Sequence, residues 1–523
     1  MPQPSFMVKI MGIQVALLLI NGFPAKMVVN TLESGARIIM TKKQKALFVI
    51  FGGTGDLARR KLYPSLFKLY RKGFLDDDFA VIGTARREWT DDHYREVVLD
   101  SIRKLVPATI DPDEFTSHFY YQAHNVNDTQ HYVTLRQLAE RLDEQYQLGG
   151  NRIFYMAMSP KFFSVIAKHL KTQGLVTPEG YNRLVIEKPF GNDLESARKL
   201  NDDLRKYFPE ESIFRIDHYL GKEMIQNISA LRFGNNLFNA LWNNRYIDNI
   251  QITLCEPLGV GTRAGYYEGA GALRDMFQNH VLQIVSLLTM NSPASFTDED
   301  IRREKMSALK ALKFYSADEI KQNIVRGQYD AANGMKGYRE ENGVDEYSGT
   351  ETFVAGKLIV DNMSFAGVPI YFRTGKRMRC KQSRVDVVFK NLPARIFKYG
   401  EIRQNVLSIE ADPHSRMSLQ LNTKKEGQGF AIRPINLEFK ANENEIPGAY
   451  EKLLLDVLYG NAMNFTHLEE LLYSWQFVDA IERVWDDEGT PADFPNYDCG
   501  TMGPRSAMEL LARDGKFWVY DPE

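Results

Sequence analysis

The chain has 523 residues, more than one hydrophobic core usually organises, so two large domains are expected. Hydrophobic residues make up 44% and charged residues 25%, with a formal net charge of -2; this is the composition of an ordinary soluble enzyme and excludes a global pull toward nucleic acid or anionic lipid. Any anionic ligand must therefore meet a local cationic cluster, and neither a nucleic-acid nor a membrane partner is expected.

Residues 1–40 hold one apolar run, Ile13 to Ile20, which is too short to span a bilayer. Lys9 followed by Val15 to Ile20 matches a signal peptide only in part. The expectation is a disordered or non-native leader, with the working protein beginning near Met40. Cys255, Cys380 and Cys499 are odd in number and far apart, without Cys-x-x-Cys spacing. Neither a disulfide framework nor a zinc site follows from them, and a cytoplasmic location is expected, where the sequons at Asn227 and Asn464 stay bare.

From Lys45 onward apolar runs of strand length alternate with amphipathic stretches. Ala46 to Phe51, Phe79 to Thr84, Phe119 to Gln122, Arg152 to Met158 and Arg183 to Ile186 are expected as strands. Helices are expected near 57–72, 91–104, 129–146 and 160–172, giving a doubly wound, Rossmann-like unit that ends near residue 210 and a first domain drawn at 41–215. Its first strand runs into Gly52, Gly53, Thr54, Gly55, Asp56, Leu57 and Ala58, with G-x-G-x-x-A spacing from Gly53. Glycines let the backbone approach a pyrophosphate, and the following helix start offers free N–H groups. A plain structural turn has the same spacing. The second strand ends at Arg86-Arg87 rather than at an acid, which favours a 2'-phosphate and hence NADP over NAD; the alternative is two solvated arginines. Asp76 to Asp78 are expected as a solvated loop.

Past residue 215 the rhythm changes. A helix from Gly221, a strand at Asn249 to Cys255, a helix from Gly271 to Met290 and extended segments at Thr352–Val360, Ile370–Thr374 and Val385–Phe389 predict an α+β domain over 216–523 with a large, mainly antiparallel sheet. Gly327 to Gly349, rich in Gly, Asn, Asp and Tyr, is expected as a long surface loop. His218, Tyr219 and Lys222 gather imidazole, phenol and ammonium donors at a helix start, which suits a phosphate dianion. His280 falls within the apolar stripe of Leu273, Met276, Phe277, Val281, Ile284, Val285 and Leu288, so it is buried; it is either a satisfied core histidine or a proton acceptor, with Asp217 the candidate to orient its ring. Lys188 before Pro189, and Lys376 with Lys381, are further cations at strand ends. Pro189 is a hinge, a cis bond or an ordinary loop proline.

Gly52 to Ala58, Glu187-Lys188-Pro189-Phe190, Arg215-Ile216-Asp217-His218-Tyr219-Leu220-Gly221-Lys222 and Asp275-Met276-Phe277-Gln278-Asn279-His280 together resemble the glucose-6-phosphate dehydrogenase family of bacterial type, from about Lys45 to the C-terminus. The resemblance implies oxidation of β-D-glucose 6-phosphate at C1 to the 1,5-lactone with NADP, NAD being a secondary acceptor, as the entry to the oxidative pentose phosphate pathway. It implies His280 as base with Asp217 as its partner, and His218, Tyr219, Lys222 and Lys381 as phosphate ligands. Glu256, Asp275 and Lys376 match sugar-contacting positions, Lys188 lies between sugar and nicotinamide, and Gly52 to Ala58 with Arg86 match the cofactor site. A homodimer or homotetramer built through the second domain's sheet and no metal are also implied. Two rivals remain: an inositol dehydrogenase or glucose-fructose oxidoreductase relative, which shares the Glu-Lys-Pro motif but not the phosphate cluster, and a non-catalytic NADP sensor, which would have no use for a proton acceptor.

Overall fold

The structure, a computed structural model, describes residues 44–522 apart from 76–77, 108–110, 395, 398, 428 and 444. The expected leader and the residues Asp76 and Asp77 lie outside the described residues, and Asp78 pairs with Lys45 at 2.5 Å. Among the described residues, no helix is long and apolar enough to cross a membrane.

The first sheet has six parallel strands in the order β3-β2-β1-β4-β5-β6: β1 (Leu47–Phe51), β2 (Ala80–Ala85), β3 (Phe119–Ala123), β4 (Arg152–Met156), β5 (Asn182–Glu187) and β6 (Ile213–Ile216). All five residues of β1 are buried, because helices cover both faces of a parallel sheet and every side chain of a central strand must be apolar. The strand order reverses at β1, between β2 and β4, and a crevice opens there beyond the carboxyl ends of the strands. Two boundaries differ from the sequence reading. β6 extends the unit past residue 210, its four residues being too few for a readable alternation, and β4 stops at Met156 rather than Met158 because its partner β1 ends at Phe51, whose carbonyl takes the last ladder bond from the Ala157 N–H.

Eight strands form the second sheet: β7 (Ile247–Cys255), β8 (Ile324–Gly327), β10 (Phe353–Ile359), β11 (Pro369–Gly375), β12 (Gln382–Phe389), β13 (Val406–Asp412), β14 (Arg416–Lys424) and β15 (Ile432–Lys440). Only β7 and β11 pair in parallel, so the mainly antiparallel expectation holds. The segment Leu273–Thr289 lies across this sheet, with Phe277 stacked on Phe372 at 4.5 Å. The helix expected from Gly221 starts at Glu223, because Gly221 and Lys222 still belong to the preceding turn.

The expected surface loop at 327–349 is a correction. Tyr329 and Tyr338 in it are fully buried, their rings 5.5 Å apart, and β9 (Tyr329–Asp330) pairs with β16 (Tyr497–Asp498). The tyrosines that made the segment look like a turn supply its apolar payload. The C-terminal half also reaches back: the helix Ala449–Tyr459 packs on the first domain, where Lys72 meets Glu451 at 2.5 Å and Arg183 Nη1 donates to the Val457 and Leu458 carbonyls at 2.6 and 2.8 Å.

The turn after β1 is shaped by one close approach. Gly52 has φ +94°, and a Cβ on it would stand 2.3 Å from Ala157 O. No side chain fits, and the positive φ adds strain for any L-residue. Gly52→Ala should therefore lower unfolding stability by about 1–3 kcal/mol, read as a lower urea midpoint; an unchanged midpoint would contradict the close approach.

Candidate active site

His280 sits where the helical segment Leu273–Val281 widens, the Leu282 N–H reaching back five residues to Phe277 O. The ring is wholly buried. Its Nδ1 lies 2.5 Å from Asp217 Oδ1, and that oxygen also accepts the Tyr219 N–H at 2.9 Å. An ionised carboxylate can only accept, so Nδ1 carries the proton and Nε2 presents its lone pair, on which Lys188 Nζ closes at 3.1 Å. The electrostatics agree with that assignment. Burial pushes the Asp217 carboxyl up, but the adjoining imidazole outweighs it and holds the acid at about 2. Burial lowers His280 below the ordinary imidazole value, with Asp217 pulling it partly back. Near neutral pH the pair is thus a carboxylate beside a neutral imidazole.

Lys188, at the end of β5, also donates to Asp275 O at 2.7 Å and to Asp275 Oδ1 at 3.2 Å, and its peptide bond to Pro189 is cis. Lys376 Nζ meets Glu256 Oε2 at 2.5 Å and lies 3.9 Å from Asp275 Oδ2. Asp275 is buried, which would raise it, yet Lys188 and Lys376 hold it well below the usual carboxylate range. Lys188, Glu256, Asp275, Lys376 and His280 therefore form one connected polar patch of alternating charge.

The second end of the site is cationic. The Tyr219 ring stacks on the His280 ring at 4.2 Å, Lys222 Nζ stands 3.8 Å from the Tyr219 ring centre, and the His218 ring meets His280 edge-on at 4.7 Å. Lys222 and Lys381 converge on Asp412 at 3.4 and 2.8 Å. Burial lowers Lys222, with Asp412 pulling it back up, and burial holds His218 neutral, well below its ordinary value. Asp217, His218 and His280 bring ligand atoms within 4.8 Å of one another, as a metal would need, but the Lys188 ammonium already occupies the approach to His280 Nε2.

Sequence reasoning missed Asp412, Ser383 and Tyr266. Ser383 Oγ lies 3.3 Å from both Lys222 Nζ and Tyr219 Oη, and the Tyr266 hydroxyl donates to Asp275 Oδ1 at 3.2 Å. They are single polar residues of common type on separate elements, and no spacing marks them. On the side of the glycine turn, Gly52 and Gly53 donate their N–H groups to Thr84 O, which leaves Thr54, Gly55, Asp56, Leu57 and Ala58 to lead into the helix. Arg86 is exposed at the end of β2, beyond that turn, and Arg87 lies beside Trp89. A cavity of about 580 Å³ adjoins the site at Lys188 and Tyr266, with Ser159, Pro160, Pro189 and Asn279 also in its lining.

Two family models match nearly the whole described chain: "Glucose-6-phosphate dehydrogenase, NAD binding domain" over residues 49–227 and "Glucose-6-phosphate dehydrogenase, C-terminal domain" over 229–519. The chain belongs to the glucose-6-phosphate dehydrogenase family. It is 48% identical over 487 residues to the glucose-6-phosphate 1-dehydrogenase of Streptococcus pneumoniae, covering 92% of this chain and 97% of that protein. It is 46% identical over 489 residues to that of Leuconostoc mesenteroides, covering 92% and 100%. A solved structure described as glucose-6-phosphate dehydrogenase in complex with its substrate glucose-6-phosphate superposes with a TM-score of 0.85 at 34% identity, over 92% of this chain and all of that one. The enzyme from Mycobacterium avium follows at 0.78 and 30%, over 92% and 99%. These relatives align with this chain through both domains.

The geometry makes one spectroscopic prediction. Titrated by ¹⁵N NMR of labelled histidine, the His280 ring should gain its second proton below the ordinary imidazole value of about 6.5. Asp217→Asn should move that titration further down, because the carboxylate is the group that favours the charged ring. An upward move would contradict the pair.

Proposed function

We propose that the protein oxidises β-D-glucose 6-phosphate at C1 to 6-phospho-D-glucono-1,5-lactone, passing a hydride to NADP⁺, the first step of the oxidative pentose phosphate pathway. What carries the reading is the juxtaposition of a buried, carboxylate-oriented imidazole with a cationic cluster one ring away, at the mouth of a dinucleotide-type crevice. His218, Tyr219, Lys222 and Lys381 would take the phosphoryl group through charge-assisted hydrogen bonds. Glu256, Asp275 and Lys376 would hold the sugar hydroxyls, and Lys188 would sit between sugar and cofactor. With the phosphate gripped at that end, the C1 hydroxyl comes to His280 Nε2, where the Lys188 ammonium now lies.

His280 takes the hydroxyl proton at Nε2 as the C1 hydride leaves. Asp217, ionised at working pH, stabilises the imidazolium that results and keeps Nδ1 protonated throughout. The nicotinamide, when bound, supplies the hydride acceptor. The turn at Gly52 to Ala58 fits its dinucleotide, since its glycines carry no side chains to block a close approach and the helix start after it offers free N–H groups. Exposed Arg86, seconded by Arg87, supports NADP over NAD through the 2'-phosphate. The reading includes no metal. The free thiols suit a cytoplasmic location, and the exposed Leu437 and Phe439 on edge strand β15 support a homo-oligomer assembled through the second sheet.

Mixing the purified protein with glucose 6-phosphate and NADP⁺ should produce the absorbance of reduced nicotinamide, and no signal with either cofactor would refute the proposal. His280→Ala should lower kcat by about 10²–10⁴ with substrate affinity largely kept; an unchanged kcat removes His280 from the chemistry. Lys222→Ala should raise KM for the sugar phosphate about 10- to 100-fold, the loss of one or two charge-assisted bonds, while leaving KM for NADP⁺ alone. Arg86→Ala should weaken NADP⁺ and spare NAD⁺, so a constant ratio between the two would exclude the 2'-phosphate contact.

A further inference from the structure

Cys255 and Cys380 are 125 positions apart in the chain and adjacent in space. Cys255 ends β7 opposite Gln382 of β12, and Cys380 lies two residues before that Gln. Cys380 packs against the buried cluster that holds Cys255, and its Sγ stands 3.5 Å from Tyr520 Oη. Cys255 is buried and Cys380 is partly open to solvent.

A buried cation stands over this pair. Arg373 is fully buried and forms no ion pair with a carboxylate among the described residues; its Nε donates to Thr253 Oγ1 at 3.3 Å, its Nη2 to the Tyr520 carbonyl, and Trp518 covers its face. Nη1 is buried without a hydrogen-bond partner. The two cysteine sulfurs are among the groups that favour the charged guanidinium. A fully buried guanidinium that bonds no carboxylate directly is expensive, and a thiolate here adds to the support that Asp521 and Asp386 give its charge. Cys380 suits it: the S–H of Cys255, the O–H of Tyr520, and Arg373 and Arg379 all favour its anion and hold the thiol at about 6, whereas burial pushes Cys255 up.

We propose that Cys255 and Cys380 form a reactive dithiol, with Cys380 the attacking thiolate and Cys255 the resolving thiol, which a low-molecular-weight disulfide converts into an intramolecular disulfide. The Cys380 thiolate attacks the disulfide RSSR, forming a mixed disulfide and releasing RS⁻. Cys255 then loses its proton, attacks Cys380 Sγ and expels the second RS⁻. Two electrons leave the dithiol, and RSSR is reduced to two RSH. The bond would act on the sugar end of the site, because Cys255 precedes Glu256 and Cys380 precedes Lys381, with Lys376 at the other end of the same short connection. It would also remove the negative charge that Arg373 faces.

The test uses the full chain and oxidised glutathione. Peptide mapping of the treated wild type should recover a Cys255–Cys380 cross-link without bound glutathione, reversible by dithiothreitol, while Cys255→Ser stalls as a glutathione mixed disulfide on Cys380. Without the oxidant, iodoacetamide should alkylate Cys380 with a midpoint near pH 6, well before Cys499. In the oxidised protein KM for glucose 6-phosphate should rise several-fold with KM for NADP⁺ unchanged. Wild type left as a mixed disulfide, Cys380 alkylating only at the pH of an ordinary thiol, or a cross-link that leaves KM for the sugar phosphate unmoved would each overturn the proposal. The sulfur chemistry is read by mass, so it stands or falls independently of the assigned activity.

Discussion

The site is organised around the hydrogen bond between His280 and Asp217. It joins a residue that follows the last strand of the first sheet to one lying across the second, and both partners are removed from water. A buried carboxylate is tolerated only when its charge is answered nearby. Here one oxygen accepts hydrogen bonds from the ring N–H and the Tyr219 N–H, so the loop that carries His218, Tyr219 and Lys222 is held against the imidazole. The cationic cluster and the buried imidazole are therefore fixed relative to each other by the same acid.

Around that bond the charges alternate from Lys188 to Asp275 to Lys376 to Glu256, and from Lys222 and Lys381 to Asp412. Lys222 and Lys381 share Asp412, Lys376 lies between Glu256 and Asp275, and the three donors of Lys188 are engaged by Asp275 O, Asp275 Oδ1 and His280 Nε2. Lys188 occupies the lone pair of His280 Nε2, so a hydroxyl placed there would replace an existing hydrogen bond rather than fill an unsatisfied site. The glycine turn provides the second constraint. At Gly52 the approach of Ala157 O forbids a side chain, just past the end of β1, where the strand order reverses.

The segments that were hardest to place from sequence are those whose partners are remote. β6 has four residues, too few to display a period, and joins the sheet only because β5 offers it an edge. The tyrosines of 327–349 look like turn residues until Tyr497 and Tyr267 are seen to pack on them. Asp412, Ser383 and Tyr266 belong to different strands and turns and meet the site only after the second sheet has formed.

What the sequence determined by itself is whatever depends on near neighbours. The alternation from Lys45 to Glu187 gives the parallel sheet, the glycine spacing gives the turn, the apolar stripe around His280 gives its burial, and the grouping of His218, Tyr219 and Lys222 gives the cationic end, since strand and helix periods and turn chemistry act over a few residues. Tertiary structure alone decided which carboxylate meets which cation, that Asp217 reaches His280 across 63 positions, and that Cys255 lies beside Cys380 near the buried Arg373. Those pairings depend on how two sheets and the helix Ala449–Tyr459 pack together, and long-range contacts leave no periodic trace in the chain that makes them.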